Sequence, residues 1–272
     1  MNMDCKRILI AFQFLTIIPL RVRGEISEKE IGESSAFFPV VGAFQGALLV
    51  TAHFILVKLF PTELINGFLI LLLILTNGGF HLDGLADTLD AIAAKSGGDR
   101  DLDRQRRLSI MKDSTIGPIG VIGIVLTLLL KFLALDYLSH PLLFPYYVSL
   151  FLMPIIAKWT MVVSMFHGRP AREDGLGRIF ITGVGVKEII ISTLLLLLLF
   201  ISSQVFFIPH MSYTLCSFYA VLLTEMYLFC RICVSFFHKK FGGLTGDTVG
   251  AVSEITEIIF LLTVIVWSRL FT

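Results

Sequence analysis

Seven stretches of this chain are each apolar over roughly the length of a membrane-crossing helix: 36–57, 62–80, 117–138, 142–166, 187–208, 213–237 and 251–268. A bilayer core takes about 20 such residues per helix. Lipid offers backbone amides no partner, so a span of this kind must be helical. The expected fold is therefore all-α, a polytopic membrane bundle of about seven helices. The run Ile8–Leu20 is too short to span comfortably and reads as an interfacial or re-entrant piece, or as an eighth helix if tilted and extended.

Composition agrees. Hydrophobic residues make up 56% of the 272 residues and charged residues only 16%, with a mean hydropathy of +0.85. Soluble domains of this size are rarely so apolar. No internal repeat or linker divides the chain, so residues 1–272 read as one membrane domain. The net charge of +1 gives no reason to expect a nucleic-acid partner. The four cysteines do not read as a disulfide framework. Cys230 and Cys233 lie inside an apolar run and read as a buried structural pair.

Positive charge alternates along the connections. Five Lys/Arg precede residue 36, six fall in 81–116, three in 167–186 and two in 238–250, whereas the turns 139–141 and 209–212 have none. By the positive-inside rule the N-terminus and these polar segments face the cytoplasm, in a multi-pass protein of the cell (inner) membrane. Every polar cluster with chemical potential then falls on one side. Carriers more often place ionisable groups at mid-membrane between matched halves.

The sharpest of these clusters is acidic. Asp83, Asp87 and Asp90 stand at i, i+4 and i+7 just where an apolar run ends. On a helix they share one face. Three packed carboxylates repel one another unless a cation sits among them, and Mg²⁺ takes such oxygen ligands together with substrate phosphates. Gly84 leaves room for a phosphate, and His81 is placed to donate to phosphate or take a proton from a hydroxyl.

Three further clusters fit the same chemistry. The segment 106–120 carries Arg106, Arg107, Lys112, Asp113 and Ser114, then Gly117, Pro118 and Gly120 at the start of an apolar helix. Free amides there suit an anion, and arginine grips phosphate with paired bonds. The segment 167–178 offers Arg169 and Arg172 among glycines as a phosphate clamp. In 241–257, Asp247, Glu254 and Glu257 fall at i, i+7 and i+10, which nearly share a helical face and read as a second metal-binding face. Lys131, Lys158, Glu225 and Arg231 lie within spans, where each needs a partner or a wet cavity.

These segments carry a specific resemblance. His81–Asp90, Arg107–Gly120 and Gly243–Glu257, with Phe14–Pro19 and Phe38–Gly42 before them, resemble the cobalamin synthase family, the adenosylcobinamide-GDP ribazoletransferases. The motifs run in the family's order over nearly the whole chain. Ala91 stands where many members have glycine. The resemblance implies a Mg²⁺-dependent membrane enzyme that completes the nucleotide loop of vitamin B12. It would join adenosylcobinamide-GDP to α-ribazole or its 5′-phosphate and release GMP. It maps Asp83, Asp87 and Asp90 onto the first acidic motif, Arg107, Lys112 and Asp113 onto the second, and Asp247, Glu254 and Glu257 onto the third. Asp90 and His81 are both candidates for the general base. Competing readings are a CDP-alcohol phosphotransferase, a prenyltransferase, or a transporter of a corrinoid or phosphate compound. The first is disfavoured because Ala86 is followed by Asp87 rather than arginine.

Overall fold

The computed structural model describes residues 3–113, 115–139, 146–207 and 213–271, and these form twelve α-helices and no strand. Short α1 (Met3–Leu15) and α2 (Glu28–Ser34) precede α3 (Phe38–Leu56) and α4 (Thr62–Asn77). Next come α5 (Phe80–Ala93), α6 (Arg100–Ile110), α7 (Pro118–Leu138) and α8 (Tyr146–His167). The chain continues through α9 (Leu176–Gly183), α10 (Val186–Phe207), α11 (Tyr213–Phe241) and α12 (Gly246–Phe271). Six helical segments are long and apolar enough to cross a membrane, and α4 with α5, counted as one broken span, makes a seventh. The expected all-α polytopic bundle is what the chain forms. The predicted turn 209–212 and the start of the predicted span 142–166 lie outside the described residues.

Helix α1 has 13 residues, about 20 Å of helix, which is short of a bilayer core. Its basic residues tie it to α2: Lys6 Nζ donates to Glu30 at 2.6 Å, and Arg7 bonds Glu33. Helix α2 starts at a capping box, in which Ser27 and Glu30 satisfy each other's backbone amides.

The bundle is built around α8, whose residues from Val148 to Met165 are buried with the single exception of Phe151. Helix α3 presses against it through Gly42 and Gly46. A Cβ on Gly42 would lie 2.6 Å from the α8 backbone at Pro154 and Ile155, and one on Gly46 would run into the backbone of Phe151. This small-xxx-small spacing lets two backbones touch where lipid provides no hydrophobic drive for association. The outer faces of α7, α10 and α11 expose Val125, Leu129, Leu194, Leu198, Leu228 and Ile232. Such continuous apolar surface is a liability in water and ordinary in lipid.

The break between α4 and α5 positions the chemistry. Gly78 and Gly79 both adopt left-handed backbone, with φ of 66° and 76°, a region glycine enters at little cost. The Asn77 side chain accepts from the Gly79 amide at 2.9 Å. The chain turns by 88° there. Helix α5 consequently lies across α7 and α12 instead of continuing outward as a simple extension of the predicted span 62–80.

Candidate functional site

Four polar segments far apart in sequence meet at one end of the bundle. The loop after α8 bonds the loop before α12, with the Ala171 amide donating to Leu244 and the Leu244 amide to Arg169, both at 2.8 Å. Arg172 Nη2 donates to the Leu108 carbonyl at the end of α6, at 3.0 Å. Arg178 of α9 pairs with Glu28 of α2 at 3.0 Å. The aspartate helix α5 joins this group by crossing α12.

The crossing depends on Gly84. A Cβ there would sit 2.8 Å from the Asp247 Cα, so only glycine lets the start of α12 approach this closely. Gly250, one turn on, passes the backbone of His81 in the same way. Helix α12 begins at a reciprocal cap in which Thr245 and Thr248 bond each other's amides. This local order fixes Asp247 in the first turn, beside α5.

Asp83 is exposed, while Asp87 and Asp247 are half-buried. Asp87 lies within electrostatic reach of Asp83, Asp247 and Asp90. Arg172 faces this group, with its Nη1 3.7 Å from Asp247 Oδ2. Among the described residues, no three acidic, histidine or cysteine side chains converge on one point. The oxygen donors suit a hard cation that is completed by phosphate and water. Mg²⁺ is usually held that way, by one or two carboxylates plus substrate.

Several expected site residues are placed otherwise. Asp90 accepts the amides of Gly117 at 2.7 Å and Gly120 at 2.8 Å. The free amide end of α7, expected to receive a substrate anion at Gly117, is thus taken by a carboxylate of the protein itself. The reason is local: α7 has no side-chain cap of its own, and a positive helix end attracts the nearest acid. A Cβ on Gly117 would lie 2.5 Å from Asp90 Oδ1, so this glycine serves the cap.

Glu254 and Glu257 do not extend the Asp247 face into a metal site. They are buried, and Lys131 of α7 donates to both, at 2.6 and 2.5 Å. Two to three turns of helix separate them from Asp247, about 10–15 Å along the axis. Their burial requires a cation, and Lys131 supplies it.

The basic residues divide as well. Arg107 is buried, with no partner for its Nε among the described residues, whereas Arg106 is exposed. Lys112 pairs with exposed Asp174 at 3.2 Å, and hydrogen bonding to Lys112 lowers the Asp174 pKa. Asp113 accepts from the Thr115 hydroxyl and amide within its own turn, which holds its pKa below the usual range. Arg169 Nε donates to the Gly242 carbonyl at 3.1 Å and so fastens the two loops together. Ser114 lies outside the described residues. Cys230 and Cys233 are unbridged, and Cys230 Sγ faces the Thr160 carbonyl.

Two features were not read from sequence. Asp103 of α6 accepts from Ser96 and from the Gly97 amide, folding the α5–α6 connection onto itself. Lys158, fully buried in α8, places its Nζ 3.0 Å from His81 Nδ1 and 3.3 Å from Ser253 Oγ. A buried lysine signalled the need for a partner, but its distance of 77 residues from His81 hid which one.

Comparison with known proteins identifies the family. The model of the cobalamin-5-phosphate synthase family matches residues 7–265. An adenosylcobinamide-GDP ribazoletransferase of Thermodesulfovibrio yellowstonii is 36% identical over 264 residues, 97% of each chain. Proteins of the same name from Geotalea daltonii and Caldanaerobacter subterraneus are 35% and 33% identical, over 94% of this chain in both cases and over 95% and 96% of theirs. No solved structure matches. With its family model spanning nearly the whole sequence, the chain belongs to the cobalamin-5-phosphate synthase family.

Proposed function

We propose that this protein is an adenosylcobinamide-GDP ribazoletransferase working at the cytoplasmic face of the cell membrane, with α-ribazole or its 5′-phosphate as acceptor. The observation that carries the reading is the Asp83, Asp87 and Asp247 group at the α5–α12 crossing, three carboxylates within electrostatic reach of one another and faced by Arg172. Such a group suits a diphosphate held through Mg²⁺. Asp83, Asp87 and Asp247 are the residues that would hold Mg²⁺, which would supply charge neutralisation for the diphosphate and the leaving phosphate.

The residues of the chain position the reactants. A ribose hydroxyl oxygen of the acceptor forms a bond to the phosphorus that carries the corrinoid. The bond from that phosphorus to the bridging oxygen breaks, and the bridging oxygen leaves with GMP. The hydroxyl proton passes to a carboxylate of the cluster. Asp90 is poorly suited to that task because both its oxygens already accept amides. Arg172 stands where it can balance phosphate charge and hold the diphosphate in line. Placing the basic segments on the cytoplasmic side follows from the positive-inside rule, and these same segments meet around the acids.

The test is GMP release by detergent-purified protein given adenosylcobinamide-GDP, α-ribazole and Mg²⁺. We expect release to need both substrates and to stop with a chelator. Well-folded protein that releases no GMP with either acceptor would refute the assignment.

A further inference from the structure

A cavity of about 430 Å³ opens between α1, α5, α8, α9 and α12, immediately beside the aspartates. Its wall is largely apolar, formed by Phe14, Met161, Met165, Phe180 and Val249. The Phe14 and Phe180 rings pack with centroids 4.0 Å apart. Asp83 and Asp247 border the same space, so a molecule seated in it reaches the acid group.

Size and polarity narrow the occupant. Pockets for drug-sized molecules run from about 300 to 1,000 Å³, and this one is near the lower end. A nucleoside fits that range, whereas a corrin ring with its amide side chains is several times larger. Guanine would bring several buried donors and acceptors, each costly without a partner. This wall offers few. Flat aromatic rings pack well against phenylalanine and methionine.

One polar group on the wall is oriented from behind. His81 lines the cavity, and its Nδ1 faces Lys158. A lysine ammonium donates only, so Nδ1 accepts and the ring proton sits on Nε2. The ring's hydrogen bond to the protein runs through Nδ1, which leaves Nε2 for a ligand. Lys158 is thus a positioning residue that makes His81 a donor toward the cavity.

We infer that this cavity is the acceptor subsite. The aromatic base of the ribazole lies against the apolar wall, its ribose faces Asp83 and Asp247, and His81 donates to the ring nitrogen of the base. In that role His81 is not the proton acceptor of the reaction. The inference rests on the ribazoletransferase reading.

The experiment uses the full-length protein in detergent and measures KM separately for each substrate. Leu176→Trp narrows the cavity from its exposed rim, and Met165→Ala enlarges it from within. We expect the acceptor KM to rise about tenfold or more in Leu176→Trp, with the KM for adenosylcobinamide-GDP within twofold. Met165→Ala should accept nucleosides with bulkier bases that the parent protein refuses. His81→Gln keeps an N–H donor and should retain most of kcat, whereas His81→Ala should raise the acceptor KM. If the parent protein turns over but both KM values move together, or neither moves, the cavity holds something else, such as an acyl chain, and the inference fails. An acceptor KM raised as far in His81→Gln as in His81→Ala would overturn the donor role. If the parent protein turns over with no ribazole at all, the ribazoletransferase reading itself falls.

Discussion

Helix α12 carries two acidic regions with opposite fates. At its first turn, Asp247 meets Asp83 and Asp87 in a half-open group faced by Arg172 at 3.7 Å. Two turns deeper, Glu254 and Glu257 are sealed in the bundle and both bond Lys131. The residue chemistry is nearly the same, yet one region leaves negative charge for something outside the protein and the other meets it internally, with Lys131 bonded to both glutamates and Lys158 within electrostatic reach. Buried ion pairs are weak evidence of net stabilisation, but breaking one strands a charge. Unbalanced acids that a ligand can reach are where chemistry is expected.

That contrast can be broken at several points. The largest effect should come from Lys131→Met, which strands two buried carboxylates. We expect a loss of about 3–5 kcal/mol of stability, read by thermal unfolding in detergent. Adding Glu254→Gln and Glu257→Gln to it should recover much of that loss. A triple variant as unstable as the single one would show that the cluster does more than neutralise itself.

Gly84→Val should push α5 off the start of α12, because even a Cβ would lie 2.8 Å from the Asp247 Cα. Overpacking of this kind costs about 1–3 kcal/mol. Displacing an acid by about 1 Å lowers turnover by as much as ~100-fold. Gly67, with open space around it, is the control, and Gly67→Ala should change neither stability nor rate.

Arg172→Ala should raise the KM for adenosylcobinamide-GDP about tenfold, with a smaller change for the acceptor. Equal changes would place Arg172 in loop architecture through its bond to Leu108, outside diphosphate binding.

The smallest effect belongs to Asp103. The Gly97 amide and Ser96 hydroxyl lower its pKa. Its stabilisation is therefore fully present above the ordinary carboxylate range and fades as pH falls through the lowered value. Asp103→Asn should slightly loosen the α5–α6 connection at neutral pH, visible as faster amide exchange at Gly97. It should also flatten the acid limb of the stability profile.

Much of this arrangement was legible in the sequence. Apolar runs announced the helices because lipid permits little else. The phase of Asp83 and Asp87 announced a shared face, which α5 provides. The bend was not read, since the expected span 62–80 runs straight through Gly78 and Gly79; a glycine pair does not state its angle, and the 88° turn depends on packing against α7 and α12. Periodicity overextended the Asp247 face to Glu254 and Glu257, since phase says nothing of depth and their partner lies 123 and 126 residues away. Asp90 continued the acidic phase too, yet the nearest positive helix end claimed it.

The most direct test compares Asp87→Asn with Glu257→Gln, each scored for GMP release per folded molecule and for Tm. We expect Asp87→Asn to lose about 100-fold or more in turnover at nearly unchanged Tm, in line with removing a carboxylate that takes the hydroxyl proton or helps hold the cation. Glu257→Gln should instead lower Tm while the molecules that stay folded still turn over. The reverse pattern, an active Asp87→Asn beside a stable but inactive Glu257→Gln, would put the chemistry at the buried cluster and contradict the division drawn here.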